Sequence, residues 1–317
     1  MGVAVILTCH NEAEYIEQAV RSVAAQTLID QIDSVIVVND GSSDNSAEIL
    51  DGLVAEIPQL VVITESGIGL PAARNRAIQA SAGEFIAFLD GDDYWVPEKL
   101  EKQMPAFKDR RVGLVYCDYV DFTRADASDA QDIYVRPYDV DMERTLETYF
   151  VHDAPIVPSS CIIRRETFED VGLFDPEMRL GEDTEMFLRV AEKWRFQYVP
   201  GAMIFKRRHG RNLTRRLDAL LPVSEVVTDR FVRRNPQLEA FACKRRARRL
   251  ARAGNDCARQ GEFRIGVGYI LRAIGNDPVF WRSYAYLMLA LAPQRITSSL
   301  RDAIRFVFYK VHSRRSL

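Results

Sequence analysis

Nothing in this sequence supplies the roughly eighteen consecutive apolar residues that a helix needs to cross a bilayer, so no spanning segment is expected. The opening residues are equally without a basic stretch, an apolar core and a small-residue cleavage site, and no secretory leader is expected. Cysteine is sparse. Cys9, Cys117, Cys161, Cys243 and Cys257 form no C-x-x-C pair, which argues against a zinc ribbon and against a disulfide framework. A reducing cytoplasm is the expected setting. There is no G-x-x-x-x-G-K-[ST] loop to cradle a triphosphate. The net charge is small, −3 over 317 residues, so the overall balance advertises no nucleic acid as a partner. The charge is unevenly spread, however: acids dominate the first two-thirds, and bases cluster at 206–216, 244–252 and in the last eight residues.

What is present is an alternation of strand and helix patterns. Val3–Thr8 is a short continuous apolar run followed by the helical spacing of Ile16, Val20 and Val23. Val35–Val38 precedes a helix containing Ile49, Leu50 and Leu53, Val61–Thr64 precedes a helix over Ala72–Ala80, and Phe85–Leu89 is a fourth strand. Continuous apolar strands alternating with helices predict a parallel sheet covered on both faces, and ligands of such sheets sit beyond the carboxyl ends of the strands. There the sequence is polar every time: Thr8-Cys9-His10-Asn11-Glu12, Asn39-Asp40-Gly41-Ser42, Glu65-Ser66-Gly67 and Asp90-Gly91-Asp92-Asp93. Any one cluster reads equally as a turn or a helix cap. Four on the same edge favour a site.

The last cluster carries its own chemistry. Carboxylates at i and i+2, with Gly91 between them, can face one hard cation, whose charge removes their repulsion. Mg²⁺ or Mn²⁺ completes such a site with water and substrate phosphates, so the implied ligand is a metal–diphosphate complex.

VAVILTCHNEAEYI, VIVVNDGSSDNS, GLPAARNRAI and FLDGDDYWVPEKL, in this order, resemble the family 2 glycosyltransferases over roughly residues 3–210. The resemblance implies an α/β GT-A fold, Rossmann-like, with a mostly parallel sheet flanked by helices, and a nucleotide-diphosphate sugar as donor. It implies that Thr8, His10 and Glu12 line the nucleotide pocket, with His10 where the family often has Tyr, and that Asp40 accepts a hydrogen bond from a uracil or thymine imide. Asn39 stands where an aspartate is common. Arg74 is implied on the diphosphate or the Asp-x-Asp carboxylates, and Asp90 and Asp92 are the matching pair, Asp92 as the direct metal ligand.

A second acidic pair follows Gly181 in GEDTEMFLRVAEKW, where Met186, Phe187, Val190 and Trp194 have helical spacing. On capping preferences alone, Glu182 and Asp183 read as the first turn of that helix. The resemblance implies instead that the pair supplies the catalytic base, with Asp183 at the matching position, and that transfer inverts the anomeric configuration. Ser159 and Ser160 in PIVPSSCII are read as acceptor contacts or as buried, hydrogen-bonded serines. For His209, in KRRHGRNLTRR, the resemblance implies that it completes the metal site or touches a phosphate, while the residues alone read equally as a solvated loop.

Beyond about Leu220 helical spacing takes over. Arg245–Gly261 and Phe263–Asn276 suggest one helical hairpin, and the following aromatic and basic segments suggest core packing, a dimer surface or an interfacial helix on an anionic membrane. The expected division is a catalytic domain at 1–219, with a nucleotide-sugar half at about 1–105 and an acceptor half at about 106–219, and an α-helical region at 220–317. The expected partners are a nucleotide-sugar donor and a glycan or lipid-linked acceptor in cell-envelope polysaccharide biosynthesis. The protein is expected in the cytoplasm or peripheral on the cytoplasmic face of the membrane, with no nucleic acid bound. Competing readings are a catalytically inactive nucleotide-binding scaffold, a sugar-nucleotide pyrophosphorylase, against which the non-basic TCHNEAEYI loop argues, and a phospho-receiver module, against which length argues.

Overall fold

A computed structural model describes residues 2–123, 134–135, 142–152, 156–210 and 217–291. Two compact units divide the chain: Met1–Tyr149 with Asp153–Asn212, and Phe150–His152 with Leu213–Leu317.

The first unit begins with three β-α pairs: β1 (Val3–Cys9), α1 (Ile16–Ala24), β2 (Ile32–Asp40), α2 (Ser46–Glu56), β3 (Leu60–Glu65) and α3 (Leu70–Ala80), leading to β4 (Phe85–Asp90). The β-branched runs of β1 and β2 are buried on both faces, which is why they alternate so little with polar residues. Val3, Val5 and Leu7 point to one face and pack with Ile16, Val20 and Val23 of α1 and Leu50 and Leu53 of α2. Their neighbours Ala4 and Ile6 point the other way, toward the side where α3 lies against β1 and β2.

The register decides the site. Thr8 of β1 stands beside Val38 of β2 and Asp90 of β4, Cys9 beside Asn39, and Asp40 beside Glu65 of β3. The polar strand ends therefore lie along one edge.

The rest of this unit runs β5 (Tyr94–Trp95), α4 (Lys99–Gln103), β6 (Val112–Phe122), β7 (Tyr134–Val135), the first five residues of α5 (Thr145–His152), β8 (Ile162–Arg164), α6 (Arg165–Val171), α7 (Glu182–Lys193) and β9 (Arg195–Arg207). The sheet order is β3-β2-β1-β4-β8-β6-β9-β5, with β7 on β6. The first four strands pair in parallel, as the alternation predicts. The second half is mixed: β8 runs antiparallel to β4 and β6, β5 antiparallel to β9, and β6 parallel to β9. β8 is three residues long, too short for a periodicity to register, and Ser159 and Ser160 precede it in a 3₁₀ turn.

The second unit is helical: α8 (Leu221–Arg234), α9 (Glu239–Arg259), α10 (Phe263–Asn276) and α11 (Trp281–Leu291). The α9–α10 hairpin closes on bare backbone, since a methyl group on Gly254 would meet the Gly266 carbonyl at 2.6 Å, and the reverse holds equally. Arg245 is fully buried in this unit, where Nη1 donates to the Phe150 carbonyl (2.7 Å) and Nε to Thr228 Oγ1 (2.9 Å).

Candidate functional site

Two loops at the β1 and β2 ends hold each other through short polar contacts. Asn11 adopts a left-handed backbone (φ 58°), its N–H donates to Ser42 Oγ (2.9 Å), and its Oδ1 accepts from the Ser43 N–H (2.7 Å). Asp44 accepts from the N–H groups of Ala13 and Ser46, both at 3.0 Å. His10 Nδ1 lies 2.7 Å from the Asp40 carbonyl. A carbonyl only accepts, so Nδ1 carries the proton, and Nε2 is left to accept from Asn11 Nδ2 at 3.1 Å.

The Asp40 side chain is buried and already engaged. Oδ1 accepts from the N–H groups of Gly67 (3.0 Å) and Ile68 (2.6 Å), and Oδ2 from that of Gly69 (2.8 Å). This carboxylate thus fixes the turn that starts α3, where Gly69 occupies the N-cap at φ 89°. Gly41 allows the two loops to meet, because a side chain there would come within 2.9 Å of the Gly67 nitrogen.

The β4 end is the centre. Asp90, Asp92 and Asp93 offer carboxylate oxygens within 4.8 Å of one another, and His209 Nε2 lies 2.9 Å from Asp92 Oδ2. Glu12 leans over the same turn, so that a methyl group on Gly91 would overlap its carboxylate and stand 2.8 Å from the Thr8 carbonyl. The His209 ring stacks on Tyr15 at 5.3 Å. Oxygen-rich, partly buried and bordered by one imidazole, this group fits a divalent cation on donor chemistry. Burial raises the Asp92 pKa, but the hydrogen bond to His209 and the charges of Lys206 and His209 outweigh it and hold the group below the usual range.

Asp93 plays another part. Its oxygens accept from Ser159 Oγ (2.7 Å) and the Arg207 N–H (2.9 Å), and Lys206 Nζ lies 3.6 Å away. Burial, with the charges of Asp92 and Asp90, pushes Asp93 up to about 7 against the pull of Lys206. Lys206 stays protonated: burial disfavours its charge, but Asp93, Asp90 and Asp92 more than compensate.

Arg74 joins this cluster to the Glu-Asp pair. It is 3% exposed, and it donates from Nη2 to Asp90 Oδ1 (2.9 Å) and from Nη1 to Glu182 Oε1 (2.8 Å). Burial of Glu182 and the neighbouring Asp183 charge push Glu182 up to about 7 despite Arg74. Asp183 is half-buried, and its Oδ1 accepts from the Thr184 N–H at 2.6 Å. Gly181 caps α7 in the left-handed region (φ 71°), so the pair does open a helix as capping preferences suggest, and it also faces Arg74.

Thr8, Glu12, Asp90, Asp92, Arg74, Glu182 and His209 are therefore linked around one place, while Asp40 stands one strand over beside the Gly67–Gly69 turn and His10, just past β1, donates to its carbonyl. Both serines of the 3₁₀ turn are buried and bonded, Ser160 to the Val157 carbonyl (2.7 Å). Residues 211–216 of the basic loop lie outside the described residues. The sequence reading gives no separate role to Asp93, Lys206 or Arg207, although it places Asp93 in the strand-end cluster and the two bases in the basic run at 206–216. Nor does it give a role to Asn11, Ser42 or Asp44, which tie together loops more than thirty residues apart.

This architecture is shared with solved structures. TarS 1–349 of S. aureus aligns with a TM-score of 0.60 at 17% identity over 96% of this chain and 92% of that one. The mannosyltransferase PcManGT of Pyrobaculum calidifontis, in complex with GDP-Man and Mn²⁺, aligns at 0.57 and 16% identity over 98% and 81%. The fold is GT-A. The chain belongs to the family described as Glycosyl transferase family 2, whose sequence pattern matches residues 4–172. Among its relatives, the putative teichuronic acid biosynthesis glycosyltransferase TuaG of Bacillus subtilis is 35% identical over 118 residues, 37% of this chain and 46% of that protein. The chain spans 33% to 54% of the length of the first three curated relatives it matches. No helix among the described residues is long and apolar enough to cross a membrane.

Proposed function

We propose that the chain transfers a sugar, with inversion, from a nucleoside-diphosphate donor to a hydroxyl of a glycan or lipid-linked acceptor in cell-surface polysaccharide synthesis. The observation that carries this reading is Arg74, whose two hydrogen bonds tie the Asp-x-Asp turn to the Glu-Asp helix start. A diphosphate and an attacking hydroxyl have to meet within a few ångströms of such a bridge.

Asp90, Asp92 and His209 would hold Mn²⁺ or Mg²⁺, which supplies charge neutralisation to the departing diphosphate. Arg74 adds a second positive charge beside the same oxygens. An acceptor hydroxyl is far too weak an acid to attack at neutral pH, so a carboxylate must take its proton as the new bond forms. Asp183 is that base. Glu182, held by Arg74 and pushed up to about 7, fixes the start of α7 and with it the reach of Asp183.

Uridine is the proposed nucleoside. Asp40 has accepted three backbone N–H groups out of about four lone-pair sites, which leaves one direction for a uracil imide. UDP and UDP-GlcNAc complexes of TarS support this reading, and a dTDP-sugar offers the same imide. Teichuronic acid biosynthesis in the name of TuaG supports an envelope polysaccharide as the product.

Calorimetric titration with UDP, dTDP, GDP and CDP, each with Mn²⁺ and with chelator, tests the donor. Asp183→Asn tests the base: transfer should vanish with donor affinity kept within about threefold, since the isosteric amide removes only the proton acceptor. Equal loss of donor binding would remove Asp183 from that role.

A further inference from the structure

The helical unit shows a surface that the transferase reading does not use. From 213 to 317 the sequence carries twenty-one Lys and Arg against eight Asp and Glu, a net +13, while residues 1–212 carry −16. The overall −3 conceals two units of opposite sign.

Within the basic unit, α11 carries a second apolar face on its outside. Trp281, Tyr284, Met288 and Leu291 are 45%, 43%, 58% and 67% exposed, and their spacing of three, four and three residues puts them on one helical face. The residues α11 buries fully are small, Ser283 and Ala285, with Tyr286 packed half-buried against Leu250, Ala251 and Ala273. An ordinary surface helix keeps polar residues on the face turned to water. Val279, just before α11, and Leu271 of α10 are also largely exposed, and α11 packs on both α9 and α10. A run of large apolar side chains in water marks an interaction surface.

We propose that this face docks on an anionic phospholipid bilayer, with the apolar stripe of α11 entering the headgroup boundary and the basic residues of the unit meeting the lipid charge. Two features together select this occupant. Tryptophan, tyrosine and aliphatic residues on one stripe suit the interface, where a ring or chain is buried and polar tips stay wet. A net +13 is attracted to anionic headgroups. Self-pairing of two such units through the stripe would bring like charges together, and a polyanion in solution would satisfy the charge but leave Met288 and Leu291 in water. The inference rests on exposure and charge in the helical unit and is independent of the transferase reading.

The full-length chain is mixed with vesicles of phosphatidylcholine alone or with about 30% phosphatidylglycerol, and the bound fraction is measured by flotation. Binding is expected only with phosphatidylglycerol, and it should weaken about tenfold between about 50 and 300 mM NaCl as the headgroup charge is screened. Met288→Ser with Leu291→Ser should weaken partitioning about tenfold while the melting temperature stays unchanged. Arg264→Gln with Arg272→Gln, at exposed positions of α10, should flatten the salt dependence. The blue shift of tryptophan emission on binding should fall in Trp281→Phe. No binding to anionic vesicles at low salt overturns the proposal, as does binding that the serine pair leaves intact. A dimer in sedimentation velocity that the serine pair dissociates, in a protein that ignores vesicles, also overturns it.

Discussion

Replacing Asp40 by Asn separates two jobs that one carboxylate has been given. The side chain keeps its shape, so the change is purely one of hydrogen-bond polarity. With the amide oxygen left toward Gly67 and Ile68, the new NH₂ faces the Gly69 N–H, donor against donor. One bond is lost with a donor left unmet, worth about 1–3 kcal/mol, and two charge-assisted bonds become neutral, worth about 1 kcal/mol more between them. The turn can swing toward water, as Ile68 is 40% exposed, and solvent reaching the unmet Gly69 donor brings the sum of about 2–4 kcal/mol down to about 3 kcal/mol at most. Amide exchange at Gly67–Gly69 should then accelerate up to about a hundredfold, and the melting temperature should fall by at most about 10 °C. Hydrogen exchange and thermal melts read the first job; UDP titration reads the second. If exchange and melting were unchanged while UDP affinity collapsed, the carboxylate would serve the base alone, and the derivation from its three backbone bonds would be wrong.

Three further substitutions test the site. Arg74→Met should lower turnover by about 10²–10³-fold, because the cation between Asp90 and Glu182 is gone, and Arg74→Lys should recover only part, lacking the forked geometry; full activity in the lysine variant would refute the bridge. His209→Ala should weaken Mn²⁺-dependent nucleotide binding by about tenfold or more, and an unchanged metal titration would remove His209 from the site. Glu182 gives a pH signature. Its folded pKa is raised from 4.5 to about 7, so the favourable protonated state is fully present below about 4.5 and its contribution is lost as pH rises toward 7. Melts from pH 5 to 7.5 should therefore show a flatter dependence in Glu182→Gln than in the parent, with the variant at least as stable at pH 7.5; parallel curves would contradict the burial argument.

The parallel half of the sheet was legible because β1, β2 and β4 are buried on both faces, and continuous apolar runs record that directly. The strand-end acids were legible for the same reason: a carboxylate after such a run interrupts a local pattern. The mixed half was not, since β8 has three residues and β9 runs through an irregular register beside β6, held where Asp118 accepts from the Tyr198 hydroxyl (2.6 Å) and the Gly201 N–H (2.8 Å). Such elements are made by partners far along the chain, and local periodicity carries no trace of them.

The same division runs through the site. The chain order of residues fixed which chemistry was available: the aspartates of DGDD, the Glu-Asp pair behind a helix-starting glycine, an arginine in AARNRA, and two stretches of opposite charge. Their chemical types and local spacing do not depend on the fold. Which of them meet was decided by tertiary structure. Arg74 reaches Glu182 across 108 residues, His209 reaches Asp92 across 117, and Asp93, beside Asp90 and Asp92, also holds Ser159 and β9. The outward stripe of α11 belongs to the same class, because an amphipathic sequence names two faces but only packing says which one is left in water.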